Sequence, residues 1–366
     1  MNPFISIPLI VALLHRAWSR KSLTPLGLVA AALTAIAHAL NPWSLPLFLL
    51  LVFYLGGTRA TKVKHDIKAQ LTLSATGSHG GEGSRTHIQV LANSIVASVL
   101  SLAHAWVLAN NKEVDGSSAD CFSNGRHAAD LLMVGIIGNY AAVAADTFSS
   151  ELGILSKSKP RLIISPTLRV VPPGTNGGVT GTGILAGVFG AFTIGLTAAA
   201  LLPFCDSFPD TVQERVVLVL ATTVCGTLGS ILDSVLGALL QASVVDKRSG
   251  KIVEGTGGQK VLLHPSSTKP GSAETASGPS AQTTGAQLRN VEAVANTVAL
   301  KGTRATGSSA GTATGEAENH ESRRVESGAD ILDNNAVNVL MALTMSVVAM
   351  GAASYAWDLS ICDVFA

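Results

Sequence analysis

Charged residues make up only 13% of this 366-residue chain, about half the share of an average soluble domain, so its surface cannot all face water. The 25 Lys+Arg are offset by 24 Asp+Glu. The resulting charge of +1 excludes a nucleic-acid binder driven by bulk positive charge, and no nucleic-acid partner is expected. The four cysteines, Cys121, Cys205, Cys225 and Cys362, lack CxxC spacing and paired histidines, which argues against a zinc module. No Gly-Lys-Ser/Thr closes a Walker A loop, and no context supports a dinucleotide fingerprint. No basic segment precedes the apolar run Phe4 to Leu14, whereas Arg16, Arg20 and Lys21 follow it. The run therefore reads as a short first span rather than a signal peptide.

What is present is apolar and small: 47% hydrophobic residues, 36 glycines and a mean hydropathy of +0.40. Few aromatics with many glycines suit helices packed closely in lipid, where small residues let backbones approach. Apolar stretches fall at about 3–18, 23–41, 44–58, 88–109, 129–150, 179–203, 215–242 and 335–357. Each is read as a helix crossing the roughly 30 Å hydrocarbon layer, the first only marginally. The fold expected is an all-α polytopic transmembrane helix bundle of about seven to eight spans, with the lipid bilayer as its first partner. An endomembrane is the expected location, the endoplasmic reticulum first.

Basic residues distinguish the two sides. The connections after the first, third, fifth and seventh spans hold 3, 5, 4 and 10 Lys+Arg, and the other side holds only Lys112, Arg126 and Arg215. By the positive-inside rule the richer side is cytosolic. Cys121, Cys205 and Cys362 then lie on the opposite side, where a disulfide is permitted, although spacing does not choose the pair. The seventh connection is rich in Gly, Ser, Thr, Ala and Pro from Pro265 to Gly315. It buries too little apolar surface to offset its chain entropy. This divides the chain into a helical core at 1–244, a disordered cytosolic insert at 245–330, and a final helix with its tail at 331–366.

Chemistry is expected where polar residues interrupt the spans. Asn139 and Asp146 share a helical face, with Glu151 beyond them. Gly226, Ser230, Asp233 and Gly237 form a second narrow polar face. Ionisable groups in spans are costly unless they face a partner or a bound ion. Mg²⁺ held by Asp146, Glu151 and Asp233 with a substrate phosphate is the sharper reading; a hydrogen-bonded packing seam is the plainer one. Gly174, Thr175, Asn176, Gly177 and Gly178 lead into the sixth span as a loop that suits a phosphate cradle or an ordinary turn. Asp330, Asn334 and Asn338 fall in helical register, with Asp333 a candidate helix cap. Arg59, Lys62 and Arg85 lie on the same basic side, to balance phosphate charge or only to set topology.

Six blocks recur in one order: Arg59-Ala60-Thr61-Lys62; Glu82-Gly83-Ser84-Arg85 with Gln89-Val90; Ala145-Asp146-Thr147-Phe148-Ser149-Ser150-Glu151-Leu152-Gly153; Gly174-Thr175-Asn176-Gly177-Gly178-Val179; Gly229-Ser230-Ile231-Leu232-Asp233-Ser234-Val235-Leu236-Gly237-Ala238; and Asp333-Asn334-Asn335-Ala336-Val337-Asn338. Together they resemble the transmembrane protein 19 family. That resemblance implies an integral membrane family whose plant and cyanobacterial members include phytyl-phosphate kinase, which uses a nucleoside triphosphate such as CTP. It carries over Asp146, Glu151 and Asp233 as acidic signature positions and Gly174 to Gly178 as the glycine loop. Asn335 and Asn338 are read with them as substrate-binding residues. The implied partners are an isoprenoid phosphate and a nucleoside triphosphate. A transporter or lipid carrier, with the acids holding a coupling ion, is the competing reading.

Overall fold

A computed structural model describes residues 1–75, 78, 80, 83–110, 121–123, 125, 127–205, 211–261 and 323–364. In chain order these form α1 (Pro3–Ser19), α2 (Pro25–Ala39), α3 (Leu45–Lys62), α4 (His65–Leu71), β1 (Leu73–Ser74), α5 (His87–Asn110), α6 (Ala129–Gly153), β2 (Arg161–Leu162), β3 (Gly178–Val179), α7 (Gly181–Leu201), α8 (Thr211–Leu240), β4 (Ser243–Asp246), β5 (Ile252–Glu254), β6 (Arg323–Ser327) and α9 (Asn334–Trp357). All eight apolar stretches are helices. The five from α5 to α9 are long and apolar enough to cross a membrane, whereas α1 and α2 are shorter. The 15 residues of α2 rise only about 22 Å at roughly 1.5 Å each. Helix starts follow local chemistry: Thr24 and Thr180 cap α2 and α7, and Pro25 occupies the first turn of α2.

Helix α6 is the axis of the bundle. From Ala129 to Ala145 every residue except Val134 is buried, as a helix apolar on all sides requires. Helices α7 and α8 approach it through glycines. A Cβ on Gly226 would lie 2.6 Å from the Ala141 carbonyl oxygen and 2.5 Å from the Ala191 Cβ, so no side chain fits where the three helices meet. At one end of the bundle Cys121 and Cys205 are disulfide-bonded with Cα atoms 5.1 Å apart. The bond joins the segments before α6 and after α7, and Cys225 and Cys362 are free. Cys121 and Cys205 both fall in connections that hold few basic residues.

At the opposite end lies a feature that hydropathy did not predict, a four-stranded sheet in the order β1-β5-β4-β6. Leu73 pairs in parallel with Val253, Val244 pairs antiparallel with Val253, and Val244 also faces Val325. The β4–β5 turn is closed by Asp246, whose side chain accepts from the Ser249 backbone and hydroxyl at 2.9 and 2.7 Å. Those bonds hold its carboxyl below the usual carboxylate range. Residues 245–261 and 323–330, expected to be disordered, therefore include strand and turn. The disorder expected between 262 and 322 falls outside the described residues.

Candidate functional site

A polar cavity of about 730 Å³ opens at the sheet-bearing end of the bundle. The end of α3, α4, the start of α5, the last turns of α6, the loop before α7, α8, the turn after β5 and the start of α9 all contribute to it. Asp146, Glu151, Arg85, Gly174 to Gly178, Asp233, Asn335 and Asn338 all line it. Residues far apart in sequence thus share one wall system.

Asp146 comes from α6 and Asp233 from α8, and their carboxyl groups sit within hydrogen-bonding reach of each other. They meet because the Gly226 contact draws α8 against α6 two turns earlier. Oδ1 of Asp233 is buried without a hydrogen-bond partner, and two facing carboxylates repel unless a cation or proton joins them. Such a pair fits Mg²⁺, which takes one or two protein carboxylates and fills its octahedron with water and phosphate oxygens. Glu151 stands apart from them. Its two oxygens accept from the Thr61 hydroxyl at 2.8 Å and from Lys68 Nζ at 2.5 Å. Among the described residues no group of three acidic, histidine or cysteine side chains gathers at a metal-binding distance, so the expected third carboxylate ligand is instead half of an ion pair.

The basic residues differ from expectation. Arg59 and Lys62 are exposed on α3 and do not line the cavity, because Gly57 and Ala60 set the buried face of that helix and Thr61 is the residue that turns to Glu151. The cation at Glu151 is Lys68, from the same basic connection as Arg59 and Lys62. Lys64 adopts left-handed φ/ψ (φ 47°) and folds α4 back under α3. Lys68 then also donates to the Ala60 carbonyl at 3.0 Å. Arg85 does reach the site: its backbone pairs with Ser22 and Thr24, both at 3.0 Å, and its guanidinium donates to the Thr61 hydroxyl at 3.1 Å. Thr86 and Gln89 cap the start of α5 reciprocally, at 2.9 and 3.4 Å. The Lys68 and Glu151 side chains are only 8% and 15% exposed. Lys68→Met should therefore lower stability by about 3 kcal/mol by leaving a buried charge unpaired, and adding Glu151→Gln should restore most of it. Thermal unfolding of the two variants in detergent is the check, and a double variant as unstable as Lys68→Met would show that the charges are not coupled.

The glycine loop forms a wall of the cavity, and three of its amides are committed within the fold. Thr175 N, Asn176 N and Gly178 N already donate to the Pro172 carbonyl, the Ser243 hydroxyl and the Thr175 carbonyl. Gly174 and Gly177 have φ of +85° and +74°, which shapes the turn and seats Gly177 on α8. At α9, Asp333 caps the helix by accepting from Ala336 N at 2.8 Å. Asp330 lies outside the helix and pairs with Lys260 at 3.2 Å, so the register with Asn334 and Asn338 ends before it. The Gly255-Thr256-Gly257-Gly258-Gln259-Lys260 turn and Gln241 also line the cavity, and neither was singled out from sequence. The turn lay inside the segment read as insert; its three glycines before a lysine were the available signal.

The match to known proteins agrees with this architecture. The model of the family described as "Integral membrane protein DUF92" matches residues 8–346. The chain belongs to this integral membrane family. The resemblance carried by the six blocks thereby extends over nearly the whole chain. Protein PGR of Arabidopsis thaliana is 36% identical over 240 residues, covering 65% of this chain and 78% of that protein. Uncharacterized membrane protein MJ0933 of Methanocaldococcus jannaschii is 47% identical over 109 residues, 30% of this chain and 40% of its own length. No solved structure matches.

Proposed function

We propose that this integral membrane protein transfers a phosphoryl group from a nucleoside triphosphate to an isoprenoid monophosphate in the cavity at its basic end. The observation that carries the reading is the facing pair Asp146 and Asp233 in a cavity whose other wall presents Lys68 and Arg85. Carboxylates and cations on one small surface suit a phosphate held between a metal and basic side chains. Asp146 and Asp233 would hold Mg²⁺, which when bound supplies charge neutralisation to the phosphates. Arg85, fixed by its backbone pairing to Ser22 and Thr24, offers its guanidinium to the acceptor phosphate. Glu151 and Thr61 orient Lys68 and Arg85. A phosphate monoester is already largely a dianion at neutral pH, so its oxygen attacks the γ-phosphorus without a general base, and the nucleoside diphosphate departs. The four-stranded sheet contributes Ser74, Ser243 and Ile252 to the cavity wall. An apolar crevice between α1, α2, α3 and α5 shares Arg85, Gln89 and Asn93 with the cavity. A lipid tail approaching there would bring its phosphate to Arg85. The basic side faces the cytosol in this reading, and an endomembrane with an oxidising lumen, such as the endoplasmic reticulum, suits the disulfide.

The test is purified protein in nanodiscs with CTP or ATP, Mg²⁺ and a series of prenyl monophosphates. Prenyl diphosphate should form with Mg²⁺ and disappear with chelator. Absence of diphosphate with every pair, together with nucleotide-independent movement of lipid or ion in liposomes, would replace the kinase by a carrier.

A further inference from the structure

On the phosphotransfer reading, a nucleoside triphosphate has two chemically different ends to place in the cavity. Asn335, at the start of α9, is 4% exposed, and its Nδ2 donates to the Gly257 carbonyl at 3.0 Å. A carbonyl only accepts, so this bond fixes the amide orientation and leaves Oδ1 turned elsewhere. That Oδ1 is buried without a partner. Gln241, 5% exposed near the end of α8, has an equally unpartnered Nε2. Both residues line the cavity, which thus carries an orphaned acceptor and an orphaned donor, each at a cost that a hydrogen-bonding partner removes.

Phosphate does not answer both atoms. An ionised phosphate oxygen brings no hydrogen to Asn335 Oδ1. The adjacent lysine is also committed: Lys260 Nζ pairs with Asp330 Oδ1 at 3.2 Å and donates to the Asp330 and Ile331 carbonyls, both at 3.0 Å. An uncharged group with both N–H or O–H donors and lone pairs does answer them, and a nucleoside is such a group. Gly257 and Gly258 adopt φ of +66° and +76°, and a Cβ on Gly258 would stand 3.2 Å from the Asn335 amide. The turn therefore closes on Asn335 only with glycine there. Both orphaned atoms are shut from solvent, so a ligand reaches them only when the cavity wall shifts locally.

We propose that the Gly255–Lys260 turn, Asn335 and Gln241 hold the nucleoside end of the triphosphate, while the phosphates extend toward Asp146, Asp233, Lys68 and Arg85. The probes are CTP, ATP, GTP and UTP, their 2′-deoxy forms, and inorganic triphosphate, which has no nucleoside. Binding is measured by calorimetry on full-length protein in nanodiscs with Mg²⁺. The wild type should bind at least one nucleoside triphosphate more than tenfold tighter than inorganic triphosphate. Asn335→Leu should erase that preference and leave inorganic triphosphate within twofold. Loss on the 2′-deoxy forms would assign the donor to ribose, and loss on changing the base would assign it to the base; either supports the site. If Asn335→Leu fails to fold, as judged by its melting, Gln241→Leu and Gly258→Ala carry the same expectation. Equal binding of nucleoside and inorganic triphosphates by the wild type would overturn this assignment but leave phosphotransfer standing. No binding of either, with no diphosphate formed from any lipid phosphate, would remove the phosphotransfer reading and this inference with it.

Discussion

Asp146→Asn should lower nucleotide-dependent diphosphate formation by about a thousandfold, on the order seen when one electrostatic contact to a transition state is removed, without lowering thermal stability. Both halves of this result come from the same geometry. Asp146 and Asp233 sit within hydrogen-bonding reach of each other on α6 and α8. Asparagine keeps the volume and one oxygen but halves the negative charge presented to a divalent cation. It also relieves repulsion between facing carboxylates, so the apo fold should be as stable as the wild type or more so. Mg²⁺ provides a readout independent of turnover. At ten times its dissociation constant a ligand stabilises the folded state by about 1.4 kcal/mol, so Mg²⁺ should raise the wild-type melting temperature and leave that of Asp146→Asn unmoved. A variant that retains both the Mg²⁺ shift and turnover would return Asp146 to a packing role.

These acids were legible in sequence because a carboxylate inside an apolar helix stands out against its neighbours. The helices were legible for the same reason, since each apolar run is long and continuous. The sheet was not. Its strands have two to five residues, and their partners come from opposite ends of the chain: Leu73 beside Val253, and Val244 beside Val325. No local period encodes such pairings. Lys68 and the Gly255–Lys260 turn were hidden likewise. One looked like any juxtamembrane lysine until the left-handed Lys64 folded α4 back; the other adjoined a Gly/Ser/Thr-rich segment whose composition masked it. Arg59 and Lys62 were misplaced because position near a helix end says nothing about face, and the buried Gly57 and Ala60 leave both on the exposed side.

The glycine loop shows the same limit. Sequence made Gly177 a place for a phosphate to approach, whereas in the structure α8 makes that approach. A Cβ on Gly177 would lie 2.3 Å from the Ala238 Cβ and 2.6 Å from the Ser234 carbonyl oxygen, at a φ of +74°. Gly177→Val thus adds left-handed strain, worth about 1–2 kcal/mol and more for a branched side chain, to overpacking of about 1–3 kcal/mol. A loss near 4 kcal/mol is the expected result. It should appear as a sharply lower melting temperature and yield, with activity falling in step. Gly177→Ala should lose less, because it brings one carbon rather than three into the same gap. Gly181, a few residues on, has ordinary φ and nothing within 4 Å of its ideal Cβ, so Gly181→Ala should melt close to wild type and serve as the control. If Gly177→Val instead melted like wild type and lost only nucleotide affinity, the loop would regain its role as a phosphate cradle. The distinction matters for the proposed mechanism: a loop packed on α8 at Ser234 and Ala238 would act by positioning the helix that carries Asp233, not by binding phosphate.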